Sequence, residues 1–276
     1  MAESYPENRS QRPLEAYLVA LLFVALAVGM VFLGSRGWLP DLASRHGLGI
    51  DRMLIYLLVT TGAMFLIGHL VLAYFIWRYS RLGKVSHRLA TAKMERGWSL
   101  ALGVLMTLVA EGGVLAIGMP VWGEYFASEA PADALVIEIT SEQFAWNIRY
   151  SGPDGVFGRT APALISTANP IGLDPEDGAS SDDITTLNQI YVPVDRPVRI
   201  QLRSKDVIHS FFLAELRVKQ DAVPGMKIDI WFVPTRTGQF ELACTELCGL
   251  GHYRMEGFFN VLSAEEYDQW LTDRTS

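Results

Sequence analysis

The sequence predicts three membrane-spanning helices followed by an all-β domain. Two observations predict it. Three long apolar runs crowd the first half of the 276 residues, and the second half holds short β-rich stretches punctuated by Gly, Pro and Asp. A third observation bears on chemistry: both cysteines of the chain fall in one turn-rich loop, CTELCGLGHYRM. The formal net charge of −7 argues against a nucleic-acid binder, which would carry a basic patch. Two cysteines cannot build a disulfide scaffold, and no C-x-x-C-H is present for covalent haem attachment.

The apolar runs cover roughly Ala16 to Leu33, Met53 to Trp77 and Trp98 to Met119. Each is close to the ~20 residues that cross a hydrocarbon core as a helix. Tyr56, Tyr74, Trp77, Trp98 and Trp122 lie near run ends, where interfacial aromatics collect. Arg9 and Arg12 precede the first run as they would in a signal peptide, but the run is long for one and no A-x-A site follows, so a retained helix is expected. Arg78, Arg81, Lys84, Arg88, Lys93 and Arg96 lie between the second and third runs, which makes that loop cytoplasmic and the C-terminal half external. His69 and Glu111 fall inside the helices. An ionisable group there must face protein or water, so both are expected to face a partner subunit, with a proton relay as the alternative.

From Ala134 onward, ALVIEIT, FAWNIRY, NQIYVPV, VRIQLRS, KIDIWFVP and GQFELAC read as strands of a sandwich or barrel. The stretch between Gly152 and Leu187 reads as ordered turns plus loop, acidic through Asp174, Glu176, Asp177, Asp182 and Asp183; it is a solvated loop or a guide for a basic partner. AEEYDQWL reads as a short closing helix with Ser263 as its N-cap. The expected domains are 1–52 (tail and extra helix), 53–126 (helical hairpin) and 127–276 (external domain).

In the cysteine loop, Cys244, Cys248, His252 and Met255 stand together, with His209 upstream. A disulfide would close a very short loop and leave His252 and Met255 idle. Zinc accepts two thiolates and two imidazoles but does not need the thioether. Thiolate, imidazole and thioether are the soft ligands of electron-transfer copper. One copper would leave a thiolate over, whereas two coppers bridged by both thiolates use every residue, one histidine each.

The loop resembles subunit II of the haem–copper oxidases, with an upstream histidine and then C-x-E-x-C-x3-H-x2-M. DVIHS at 206–210, KQDAVPG at 219–225, QFAW at 143–146 and MERGW at 94–98 extend the resemblance. It implies a cupredoxin-type Greek-key barrel and a binuclear CuA centre bridged by Cys244 and Cys248. His209 and His252 would bind one copper each, Met255 would be the weak ligand, and Glu246 would give its carbonyl. It also implies Glu246 as a Mg²⁺ ligand at the boundary with a haem-bearing subunit I, and cytochrome c or another external electron donor. The implied role is electron relay to subunit I for O₂ reduction, with the same relay in a nitric oxide reductase as the alternative. A copper-delivery module and a structural zinc or disulfide protein are weaker alternatives. The chain departs from the family in its extra first helix, in Met226 where an arginine is usual, and in Phe144 where the family commonly places the electron-accepting tryptophan. Trp146 matches the second aromatic of that motif.

Overall fold

The computed structural model describes residues 12–80 and 91–275. Arg81, Lys84 and Arg88 of the basic loop, and Arg9, lie outside the described residues. The chain divides into two units: 1–38 with 52–119, and 39–51 with 120–276.

Among its described residues the first unit holds three helices long and apolar enough to cross a membrane. They are α1 (Arg12–Gly34), α2 (Gly47–Ser80) and α3 (Ala92–Trp122); the start of α2 and the end of α3 belong to the second unit. Their exposed surfaces are mostly apolar, as lipid contact requires. Small residues bring them together: Ala27 and Ala73 are buried, and a Cβ at Gly113 would collide with the ring of Tyr56. The Tyr56 hydroxyl donates to the Val109 carbonyl, so its polar end is satisfied within the bundle. His69 is also accommodated inside the chain. Its Nδ1 lies 2.8 Å from the Phe65 carbonyl, and its ring packs between Phe65 (3.9 Å between centroids) and Phe23 of α1 (5.3 Å). The extra helix thus supplies one aromatic neighbour of His69. Glu111 is exposed on α3.

The second unit is a sandwich of two five-stranded sheets. One has the order β3-β2-β1-β5-β8 and the other β4-β10-β9-β6-β7. The strands are β1 (Leu135–Glu142), β2 (Ala145–Tyr150), β3 (Ile184–Leu187), β4 (Gln189–Pro193), β5 (Val198–Ser204), β6 (His209–Leu213), β7 (Val218–Ala222), β8 (Ile228–Phe232), β9 (Gly238–Cys244) and β10 (Glu256–Leu262). Alternating residues from both sheets fill the core, among them Ile137, Ile139, Ile148, Ile200, Leu202, Phe211 and Phe259, all fully buried. β1 pairs parallel with β5 and β10 with β4; the other ladders are antiparallel.

The closing helix α4 (Ala264–Thr275) starts with a reciprocal cap: the Glu266 N–H donates to Ser263 Oγ (3.2 Å) and the Ser263 N–H to Glu266 Oε2 (2.9 Å). Its Trp270 stacks on Tyr191 with ring centroids 4.9 Å apart. In the acidic insertion, carboxylates cap backbone. Asp183 accepts from the Gly158 N–H (3.0 Å), Asp177 from Arg159 (2.7 Å) and Asp182 from Asp154 (3.1 Å), while Asp174 pairs with the Arg159 guanidinium (2.7 Å). Charges committed in this way order the loop and leave less for steering a partner.

Residues 39–51 and 120–126, expected with the helices, fall in the second unit. Residues 39–51 form a strap on the sandwich. Ala43 N–H donates to the Glu215 carbonyl (2.8 Å), Thr235 N–H to the Ala43 carbonyl (2.9 Å) and Ser44 Oγ to the Leu216 carbonyl (2.6 Å). Arg217 donates to Asp51 (2.8 Å) and to the Pro40 carbonyl (2.7 Å).

The strap also buries His46 against Trp231 (4.4 Å between ring centroids) and Tyr125 (5.3 Å), with neither ring nitrogen hydrogen-bonded. Burial holds its pKa below the usual value; Glu124, 3.6 Å away, opposes this and Arg45 adds to it. The unfolded chain therefore takes up a proton at higher pH than the folded one. Stability is fully present above about pH 6.5 and is lost as pH falls through the lower folded value. Thermal unfolding followed by circular dichroism should show a smaller drop in midpoint between about pH 7.5 and about pH 5 for His46→Phe than for wild type. Equal drops would remove His46 as the cause.

Candidate metal centre

One end of the sandwich is built from three backbone pieces. β6 begins at His209, β9 ends at Cys244, and the loop from Thr245 to Met255 leads into β10. The β6–β9 register sets Phe211 opposite Cys244, and Thr245 N–H donates to the Ser210 carbonyl (3.1 Å), which brings His209 beside the thiols. Cys244 N–H donates to the Met255 carbonyl (3.2 Å), pinning the loop's two ends together. A 3-10 turn at His252–Arg254 folds the imidazole back over the loop.

The donor atoms converge. Cys244 Sγ and Cys248 Sγ are 3.8 Å apart, and both cysteines are free thiols. His209 Nδ1 lies 3.1 Å from Met255 Sδ and 4.0 Å from Cys244 Sγ. Cys248 Sγ lies 3.7 Å from Met255 Sδ and 3.5 Å from His252 Nδ1. The Glu246 carbonyl is 3.3 Å from Cys244 Sγ, while its side chain is exposed. His209, Cys244, Cys248 and Met255 are buried and His252 is half-buried.

Electrostatics prepare the thiols unequally. Burial would raise the Cys244 pKa, but hydrogen bonding with His209 and with the backbone at Ser210 and Glu246 outweighs it and brings the thiol down. Burial raises Cys248, and the charge on Cys244 raises it further. Asp206 orients His209: its carboxylate accepts from His209 Nε2 at 2.8 Å, so the ring presents Nδ1 to the sulfurs. Asp206 stays ionised because its bonds with His209, Gln143 and Val207 outweigh the burial that would raise it.

The two aromatic candidates for electron entry differ in placement. Trp146 is fully buried, its ring centroid 6.2 Å from that of His209. Phe144 is half-buried, and its ring lies on the backbone at Gly249 and Gly251, where added Cβ atoms would meet its carbons. Sequence reasoning missed Gln143 and Asp206 as supports of the site. A carboxylate three residues before a ligand histidine was a usable signal for the second; the first opens the QFAW stretch, which was read only for its aromatics.

Soft donors held this closely suit copper better than harder cations. Fold and donor set together define a membrane-anchored, cupredoxin-type protein whose buried donors fit a copper site. Residues 135–260 match the family described as cytochrome C oxidase subunit II, periplasmic domain. The chain is 35% identical to the alternative cytochrome c oxidase subunit 2 of Bradyrhizobium diazoefficiens, over 92% of this chain and 90% of that one. It is 30% identical to the cytochrome c oxidase subunit 2 of Cereibacter sphaeroides, over 86% and 80%. Among solved structures, the periplasmic domain of the oxidase subunit II of Bradyrhizobium japonicum is 30% identical, with a TM-score of 0.39 over 53% of this chain and 96% of that one. The chain belongs to the cytochrome c oxidase subunit II family.

Proposed function

We propose that this chain is the electron-entry subunit of a haem–copper oxidase and holds a binuclear copper centre at the end of its sandwich. The observation that carries the reading is that two four-donor groups share one sulfur–sulfur edge. His209 Nδ1, Met255 Sδ and the two thiols form one; His252 Nδ1, the Glu246 carbonyl and the same thiols form the other, with neighbouring donors 3.1–4.0 Å apart. Donors around a tetrahedral ion at about 2.0–2.3 Å stand roughly 3.3–3.8 Å from one another. A single four-coordinate ion would leave two of these six donors unused.

When bound, such a copper pair accepts and passes on one electron at a time. The chain's residues hold that exchange steady. Three of the donor residues sit on or beside strands β6, β9 and β10, so they move little. Asp206 keeps a proton on His209 Nε2, and burial keeps water off the thiols. No position is left open for a substrate, so O₂ reduction belongs to a haem-bearing partner, subunit I. The relatives described above are oxidase subunits, which favours this reading over a nitric oxide reductase. Cytochrome c or a similar external donor would deliver electrons near Phe144, the aromatic that covers the ligand loop, with Trp146 behind it. The exposed Glu246 carboxylate is free to hold Mg²⁺ at the subunit boundary. Glu111, exposed on an apolar helix, would face the partner rather than lipid. The β domain lies on the extracytoplasmic side of a bacterial cell membrane, opposite the basic loop carrying Arg78, Lys93 and Arg96.

Metal analysis of the purified complex tests this. The expected content is about two coppers attributable to this chain, with a mixed-valence copper spectrum. One zinc per chain, or a single copper, would overturn it.

A further inference from the structure

We infer that Gln143 is a positioning residue for the copper donors, acting on both ligand-bearing segments at once. The inference rests on the copper-pair reading above. Gln143 ends the β1 side of the β1–β2 turn. Its side-chain amide donates to the Cys248 carbonyl at 2.5 Å, across 105 residues of sequence. Its main-chain N–H donates to Asp206 Oδ2 at 2.7 Å. The other oxygen of that carboxylate accepts from His209 Nε2 at 2.8 Å and from the Val207 N–H at 2.7 Å. The path Cys248–Gln143–Asp206–His209 therefore joins a thiol from the loop to an imidazole from β6, and Cys244 closes it through its contacts with both. No other side chain in the described residues hydrogen-bonds the Cys248 carbonyl. The next residue, Phe144, lies over Gly249 and Gly251, so one turn grips the loop by an amide and by a ring.

The chemistry of the side chain matters here. An N–H must point at a carbonyl oxygen, so a carboxylate of the same length would set two acceptors against each other. Leucine would fill similar space with no bond. Loss of one such bond in a part-buried setting should loosen the loop without unfolding the sandwich.

The test compares wild type, Gln143→Leu and Gln143→Glu in the full chain, purified and loaded with copper. Transfer of copper to a soluble chelator should be roughly three- to tenfold faster in both variants, the fold-change expected for one net hydrogen bond. The copper spectrum and reduction potential should also shift, which a purely structural effect on the turn would not cause. Circular dichroism should be unchanged, since Gln143 is exposed at the surface. Wild-type release rates and potential in the Glu variant would overturn the inference, as would lowered thermal stability with an unaltered copper spectrum. If wild type itself does not hold two coppers, the failure lies with the copper-pair reading instead.

Discussion

Replacing Cys248 with serine should abolish the paired-copper spectrum and leave at most one copper in the chain. Cys248 Sγ lies close to three other donors: 3.8 Å from Cys244 Sγ, 3.7 Å from Met255 Sδ and 3.5 Å from His252 Nδ1. A serine hydroxyl has nearly the same shape, so the fold should survive. It is a harder donor, though, and does not bridge as a thiolate does. Loss of a group that merely supports a ligand costs about 10–100-fold in affinity or activity, and loss of a bridging ligand should exceed that. Reduction of the complex by its external donor should therefore fall by more than about 100-fold. Metal content, the mixed-valence spectrum and stopped-flow reduction check it. An intact paired signal in the serine variant would disprove the bridging role.

Gly251→Ala should have the second largest effect, through packing. Gly251 is buried, and a Cβ there would fall within contact distance of Cγ, Cδ2 and Cε2 of Phe144, with the shortest approaches closer than real atoms allow. The ring belongs to β2's leading turn, so either the ring or the ligand loop must move. Overpacking of this kind costs about 1–3 kcal/mol. Because the loop carries Cys248 and His252, the strain should appear as weakened copper retention as well as a lower unfolding midpoint. Phe144→Ala in the same chain removes the obstacle, so the double variant should recover much of the loss. The difference from additivity measures the contact. Additive effects would mean that the ring does not press on the loop.

The candidate donor cluster was largely legible in the sequence because its chemistry is local. Cys244, Glu246, Cys248, His252 and Met255 occupy one loop, and soft donors at such spacing have few other uses. The membrane helices were legible for a similar reason, since apolar length is a property of a single stretch. The strands of sandwich type showed where they alternate, as in ALVIEIT and VRIQLRS. β3 did not: ITTL is four residues at the end of an acidic insertion. β7 did not either, because VKQDA buries only its first and last residues and reads as polar loop. What the sequence could not carry were roles made by distant backbone. Gln143 gains its task only when Cys248 folds beside it. His46 and Ala43 are unremarkable in LASRHGLGI until the carbonyls of residues 215, 216 and 233 meet that segment.

The strap has a consequence for how the molecule is made. Ser44 bonds to a carbonyl 172 positions later in the chain, so the ribosome delivers one half of this junction long before the other. The early half must already stand on the far side of the lipid when the late half arrives. Insertion of the first two hydrophobic segments and maturation of the external fold are thereby joined in time: the sandwich cannot complete its backbone pairing until the leading pieces have been threaded in the correct sense. A chain inserted upside down at its start would lack a finishing piece at its end, which makes topology a checkpoint for folding.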